Sequence, residues 1–268
     1  MLFSDLDLAR KLERAEAAAN ARHVEARAQS SPQVNACWID VGGTYAMFDG
    51  VGSPCTQTFG LGLFDPVTEQ HLDQLEDFFT SRGADVFHET SPMGGPALLP
   101  LLGGRGYRPI EYTSILCRPL KSAIDAPSSS VRVRLIEPGE EALWARIAAE
   151  GWREHAEVAD LIHDLALVSA LRKDGASFLA EIEGRPVATG SLCLHEGVAV
   201  LAGASTVPEE RKQGAQNALL AARLRYAAEN GCQLAMMGAL PGSASQRNAQ
   251  RNGFQIVYTR VKWGLVKS

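Results

Sequence analysis

Apolar and polar positions change rhythm several times along the chain. Gln70–Arg82 sets Leu72, Leu75, Phe78 and Phe79 at helical spacing, which predicts an amphipathic helix with those four side chains inward. Gly83, a strand-like Ala84–Glu89, Pro92 and a second helical pattern at Pro96–Leu102 follow, then Arg105-Gly106-Tyr107 and a strand at Tyr112–Arg118. Val131–Ile136 alternates apolar and basic residues, as an exposed strand does. Glu140–Arg153 and Val158–Arg172 read as two helices joined by Glu154-His155-Ala156-Glu157. Ser177–Ile182 and Val187–His195 flank Glu183-Gly184-Arg185, a hairpin pattern. Val198–Ser205, VAVLAGAS, has the composition of a buried strand, and Asn217–Glu229 brings Leu219, Leu220, Leu224 and Ala227 to helical spacing. Gly231, a strand at Gln233–Met237, Pro241, a helix at Ser245–Asn252, Gly253-Phe254 and Tyr258-Thr259 complete the pattern.

The later elements echo the earlier ones. Helix, Gly, strand, Pro, helix, Gly-aromatic and Tyr-Thr recur in one order, and the matching glycines are Gly83 with Gly231 and Gly106 with Gly253. Equal order and near-equal spacing point to a duplicated unit. Ala126–Ser130, APSSS, is the best linker, dividing the chain into domains 1–125 and 131–268.

A length of 268 residues suits two domains, and 46% apolar with 21% charged residues is ordinary globular composition. Cys37, Cys55, Cys117, Cys193 and Cys232 are scattered, odd in number and without a CxxC, so they read as reduced core residues of a cytoplasmic protein and call for no metal. The N-terminal stretch is too acidic for a signal or transit peptide, and no apolar run spans a membrane. The net charge of −5 argues against nucleic-acid binding as the main task. It is unevenly held: residues 1–130 carry 10 Lys+Arg against 16 Asp+Glu, residues 131–268 carry 16 against 15. Only the second half spares a phosphate ligand that repulsion.

Between the buried strand and its helix lies Thr206–Leu220, TVPEERKQGAQNALL, with Arg211, Lys212 and Gly214 at the turn. A helix start presents unpaired N–H groups and the positive dipole end, and Gly214 lets backbone approach phosphate oxygens. Val207-Pro208-Glu209-Glu210-Arg211-Lys212-Gln213-Gly214-Ala215-Gln216-Asn217-Ala218-Leu219-Leu220 resembles the acetyl-CoA signature of the GNAT acetyltransferase superfamily, V-x-P-x-x-R-G-x-G-x-G-x-x-L-L, with the looser core Q/R-x-x-G-x-G/A. Arg211 and Gly214 hold their places; Gln216 stands where the family has Gly or Ala. The following strand and the helix ending in Gly253-Phe254 are similar to the family's next elements, so the resemblance covers about residues 131–268. It implies an α/β (α+β) fold of two GNAT-like domains, each a mixed, mostly antiparallel central sheet flanked by helices. In the first copy Gly62–Gln70 has no cation, Asp65 stands at the phosphate position and Thr68 reads as a plain N-cap, so that copy is degenerate.

The resemblance implies acetyl-CoA as cosubstrate and a small-molecule or peptide amine as acceptor, in a monomer or homodimer. It assigns cofactor binding to Ser205, Thr206, Val207, Arg211, Lys212, Gln213, Gly214, Ala215, Gln216, Asn217 and Asn248, with a strand N–H between Gly203 and Val207 aimed at the thioester oxygen. The family's Tyr acid falls at Ala249. Tyr258 is the replacement candidate, a half-buried strand Tyr beside its repeat-mate Tyr112 the alternative; Ser245 is a weaker candidate that reads also as a helix N-cap. Glu150, Glu154 and His155 are candidates for the base, or else a solvated helix end. Water relay needs no base at all. A non-catalytic CoA-binding or sensor protein is the competing function.

Overall fold

The first sixty residues, which show little clean periodicity, begin with α1 (Leu6–Ser30), whose N-cap Asp5 accepts a hydrogen bond from the Leu8 N–H at 2.8 Å. Alanines (Ala9, Ala15, Ala17, Ala21) line much of its buried face and let it approach the sheet closely. β1 (Cys37–Val41), β2 (Thr44–Phe48) and β3 (Gln57–Phe59) follow, then α2 (Glu69–Thr80), β4 (Phe87–Thr90), α3 (Leu98–Gly104) and β5 (Tyr107–Pro119). Next come β6 (Arg132–Leu135), α4 (Glu141–Glu150), α5 (Ala156–Leu171), β7 (Gly175–Ile182), β8 (Arg185–His195), β9 (Val198–Thr206) and α6 (Ala215–Glu229), and finally β10 (Leu234–Ala239), α7 (Ala244–Arg251) and β11 (Gln255–Leu265). The computed structural model describes residues 2–120 and 130–265, so the candidate linker Ala126–Ser130 lies, apart from Ser130, outside the described residues.

The chain divides into two units that differ from the sequence expectation of 1–125 and 131–268. One comprises Met1–Arg118 with Met236–Ser268, the other Pro119–Ala235. The reason is the last strand. β11 inserts between β4 and β5, pairing antiparallel with both, in the order β1-β2-β3-β4-β11-β5-β10. β5 and β11 are the strands the repeat equates, and Tyr258 faces Ile115 while Tyr112 faces Val261. β3 and β4 are parallel, and the other registered pairs are antiparallel, giving a mixed sheet. Leu72, Leu75, Phe78 and Phe79 of α2 turn inward against Val86, Leu98, Leu102 and Tyr107, as their spacing demands.

The second unit is an antiparallel sheet in the order β9-β8-β7-β6. Both of its tight turns read Glu-Gly, with φ of 50° and 77° at Glu183-Gly184 and 43° and 77° at Glu196-Gly197. Two successive positive φ values match the twist of paired strands, and glycine supplies the second without a Cβ penalty. Trp144 of α4 is wholly buried, donating from Nε1 to the Phe178 carbonyl at 2.9 Å.

Candidate functional site

β9 is buried from Val198 to Leu201 and then opens, with Ala202, Gly203 and Ala204 exposed and Ser205 buried again. The cause is a β-bulge. Ser191 faces Ala202 and Thr189 faces Ser205, so Gly203 and Ala204 together oppose the single residue Gly190. Gly203 has φ of 61°, and a Cβ there would lie 2.8 Å from Ser191 Oγ and 3.0 Å from the Trp144 ring. Glycine is therefore the residue this position accepts. Ser205 pins the strand beyond the bulge by donating from Oγ to the Ala148 carbonyl at 2.8 Å.

The loop after β9 holds left-handed backbone at Lys212 (φ 66°) and Gly214 (φ 88°), and Gly214 is the N-cap of α6. No side chain caps this fifteen-residue helix. A helix start with its positive dipole end suits an anion, and the residue types here, two cations and a left-handed glycine before α6, fit a pyrophosphate. Gln216, the departure from the motif, folds its amide back: Nε2 donates to the Ser205 carbonyl and to Thr206 Oγ1, both at 2.8 Å. It ties the first turn of α6 to the end of β9.

Arg211 is otherwise engaged than the motif suggests. Its Nη1 donates to Glu154 at 2.5 Å and its Nη2 to the Gly151 carbonyl at 2.9 Å, so it clasps the α4–α5 loop. Arg153 pairs with Glu209 across the same junction and lies 3.8 Å from Glu150. His155 is exposed, 3.8 Å from Glu157 and with its ring 6.2 Å from that of Trp152. The second unit thus brings together residues 205–217 with Glu150, Glu154 and His155.

Tyr258, Ser245 and Asn248 belong to the first unit. The Tyr258 hydroxyl, expected at an open cleft, is buried and donates to Glu13 Oε1 at 2.8 Å. Burial, before any charge, pushes the phenol well above its ordinary range. Arg260 joins the same carboxylate from Nε at 3.0 Å and reaches Glu16 at 2.7 Å, so the hydroxyl is one member of a buried ionic cluster. Ser245 is not the N-cap of α7; Ser243 is, accepting from the Gln246 N–H at 3.2 Å, and Ser245 stands exposed as the second residue of the helix. Ala249 is buried, and the Asn248 carbonyl accepts from Asn252 Nδ2 at 2.9 Å.

The matching loop of the first half is filled. Leu61 and Leu63 are each 1% exposed, and Arg10 donates to the Leu63 carbonyl at 2.6 Å. Thr68 Oγ1 caps α2 by accepting from the His71 N–H at 3.1 Å. None of the five cysteines is in a disulfide, and Cys55 lies with His23 and Asp49 close enough that their ligand atoms fall within 4.8 Å, a cluster the linear spacing does not reveal. Arg27 lies against Asp49 at 3.1 Å. Among the described residues no helix is long and apolar enough to cross a membrane.

Comparison with known proteins agrees with this geometry. Residues 141–254 match the acetyltransferase (GNAT) family. No curated protein sequence matches the chain. Among solved structures, a GCN5-related N-acetyltransferase from Kribbella flavida aligns with a TM-score of 0.67 at 21% identity, covering 92% of this chain and 96% of that one. One from Sphaerobacter thermophilus aligns at 0.55 and 16% identity over 79% and 73% of the two chains. A tandem GNAT protein from the clavulanic acid biosynthesis pathway aligns at 0.56 and 13% identity over 84% and 79%. These likenesses show a GNAT fold along most of the chain.

Proposed function

We propose that this chain, whose residues 141–254 form a GNAT-family acetyltransferase domain, transfers acetyl from acetyl-CoA to the amine of a small molecule or peptide. One observation carries the reading: the exposed bulge at Ala202–Ala204 is followed by a loop that enters α6 through the left-handed Gly214, which has no capping side chain. The backbone of residues 213–217 would hold the pyrophosphate, with Lys212 beside it. A bulge N–H would polarise the thioester carbonyl, which gains charge as the amine attacks. The C–N bond forms and the C–S bond breaks; the ammonium proton leaves to Glu150, His155 or water, and the thiolate takes a proton from water. Tyr258 enters this scheme only if its buried bond to Glu13 opens, so it is not our first choice of acid.

The buried Ala249 and the engaged Tyr258 hydroxyl favour a second reading, a CoA-binding protein without transfer. Thermal unfolding with and without acetyl-CoA, followed by free-thiol release across an amine panel, separates the two. A raised Tm with thiol release on an amine supports transfer, a raised Tm without it supports the binder, and an unchanged Tm removes both.

A further inference from the structure

α6 carries an arginine on its buried face. Arg223 is 4% exposed, among Leu219, Leu220, Leu224 and Ala227, where the helical pattern calls for an apolar side chain. Every hydrogen bond it makes is to a backbone carbonyl: Nη1 to Ser191 and to Ala202, both at 3.2 Å, and Nε to Leu219 at 3.3 Å. Among the described residues no carboxylate pairs with it. Burial draws the guanidinium down to about 10, which leaves it a cation at neutral pH. A buried cation without a carboxylate is costly and calls for a reason.

Its position supplies one. Ser191 and Ala202 face each other and are the last paired residues before the bulge. One guanidinium nitrogen joins the carbonyls of both strands at the point where the ladder breaks. Gly190, opposite the bulge, is fitted to it: a Cβ there would lie 2.9 Å from the guanidinium carbon. On Gly203, an added Cβ would meet Trp144 and Ser191 Oγ. Successive strand residues face opposite ways, so α4 and α6 brace the bulge from its two faces. An apolar side chain at 223 would leave two carbonyls without this donor. Re-pairing the strands by one residue would turn Ser205 away from the Ala148 carbonyl.

We infer that Arg223 is a positioning residue that holds the β9 bulge open, and so sets the backbone N–H that would meet the acyl oxygen. Its effect on turnover rests on the acetyl-transfer reading; its effect on the bulge does not. The test is residue-resolved amide hydrogen exchange across β8 and β9 in the full chain, for Arg223→Met, Arg223→Lys and Gly190→Ala, beside acetyl-CoA affinity and kcat. Arg223→Met should change exchange at least tenfold at Thr189–Ser191 and Ala202–Thr206 and little elsewhere. Arg223→Lys should recover most of the native pattern, and Gly190→Ala, which displaces the guanidinium without removing it, should reproduce the local change. kcat should fall more than tenfold in Arg223→Met with acetyl-CoA affinity within threefold. Native exchange at the bulge in Gly190→Ala and in any folded Arg223→Met overturns the inference, as does a change spread evenly through the unit. Should Arg223→Met fail to fold, Gly190→Ala decides alone. Wild-type protein that neither binds acetyl-CoA nor transfers defeats the functional reading, while the exchange data still judge Arg223.

Discussion

At the scale of single residues, Gly214 carries the most weight. It is left-handed at φ 88° and begins α6 with no cap. Gly214→Asp would bring an anion to the proposed phosphate position, where two unit charges about 4 Å apart cost about 4 kcal/mol at a surface-like dielectric. CoA affinity should fall on the order of a thousandfold with circular dichroism unchanged, and a calorimetric titration reads it. Tyr258 makes the opposite case. Its hydroxyl is bonded to the buried Glu13, so Tyr258→Phe should lower stability by about 1–3 kcal/mol and leave kcat near wild type. A variant of native stability with kcat reduced a hundredfold would return Tyr258 to catalysis. That Gly214 opens α6 was legible, because a glycine stands there between a buried strand and a helical pattern. Tyr258 was not, since its partner on α1 lies 245 residues away in sequence. Arg223 was hidden too: within a helical pattern an Arg reads as solvated, and the signal available was its placement among apolar neighbours.

Between elements, ion pairs join the loop before α6 to the α4–α5 loop through Arg211–Glu154 and Arg153–Glu209. The arginine expected to serve phosphate is thus held by a carboxylate. Both partners of Arg211–Glu154 are about half exposed, so the pair is worth under about 1 kcal/mol and is weakened by salt. Glu154→Gln should release Arg211 and tighten CoA binding about two- to fivefold at low salt, the gain shrinking as salt rises. Unchanged affinity at every ionic strength would mean that Arg211 acts only on the loop. Most elements of the second half were readable, because their strands alternate or run apolar and both hairpin turns are Glu-Gly. The start of the chain was harder. α1 is rich in alanine and charge, which blurs a helical stripe, and β1, β2 and β3 are five residues or fewer.

For the molecule as a whole, the duplication was legible in order and spacing, whereas the division into units was not. Which strand β11 joins depends on pairing with β4 and β5 far away in sequence, and no local pattern encodes that choice. The insertion of β11 also places Arg260 beside Glu13 and Glu16 of α1, with Glu89 near enough to feel its charge. Burial raises Glu89 to about 7 from the ordinary 4.5, with Arg260 and Lys262 opposing. The folded state therefore holds a proton that the unfolded chain releases between these values, and stability falls as pH rises from about 4.5 to about 7. Glu89→Gln should remove that part of the slope and stabilise the protein at pH 8 by up to about 3 kcal/mol. Urea unfolding of both proteins at pH 5 and pH 8 checks it; a variant less stable at pH 8 would show that the carboxylate is charged and paired. We propose a single working cofactor site, in the second half; in the first half Leu61 and Leu63 fill the matching loop. Calorimetric titration of the intact protein with acetyl-CoA tests it most directly: one molecule bound per chain, lost in Gly214→Asp, is the predicted result, and two per chain, or none, would contradict it.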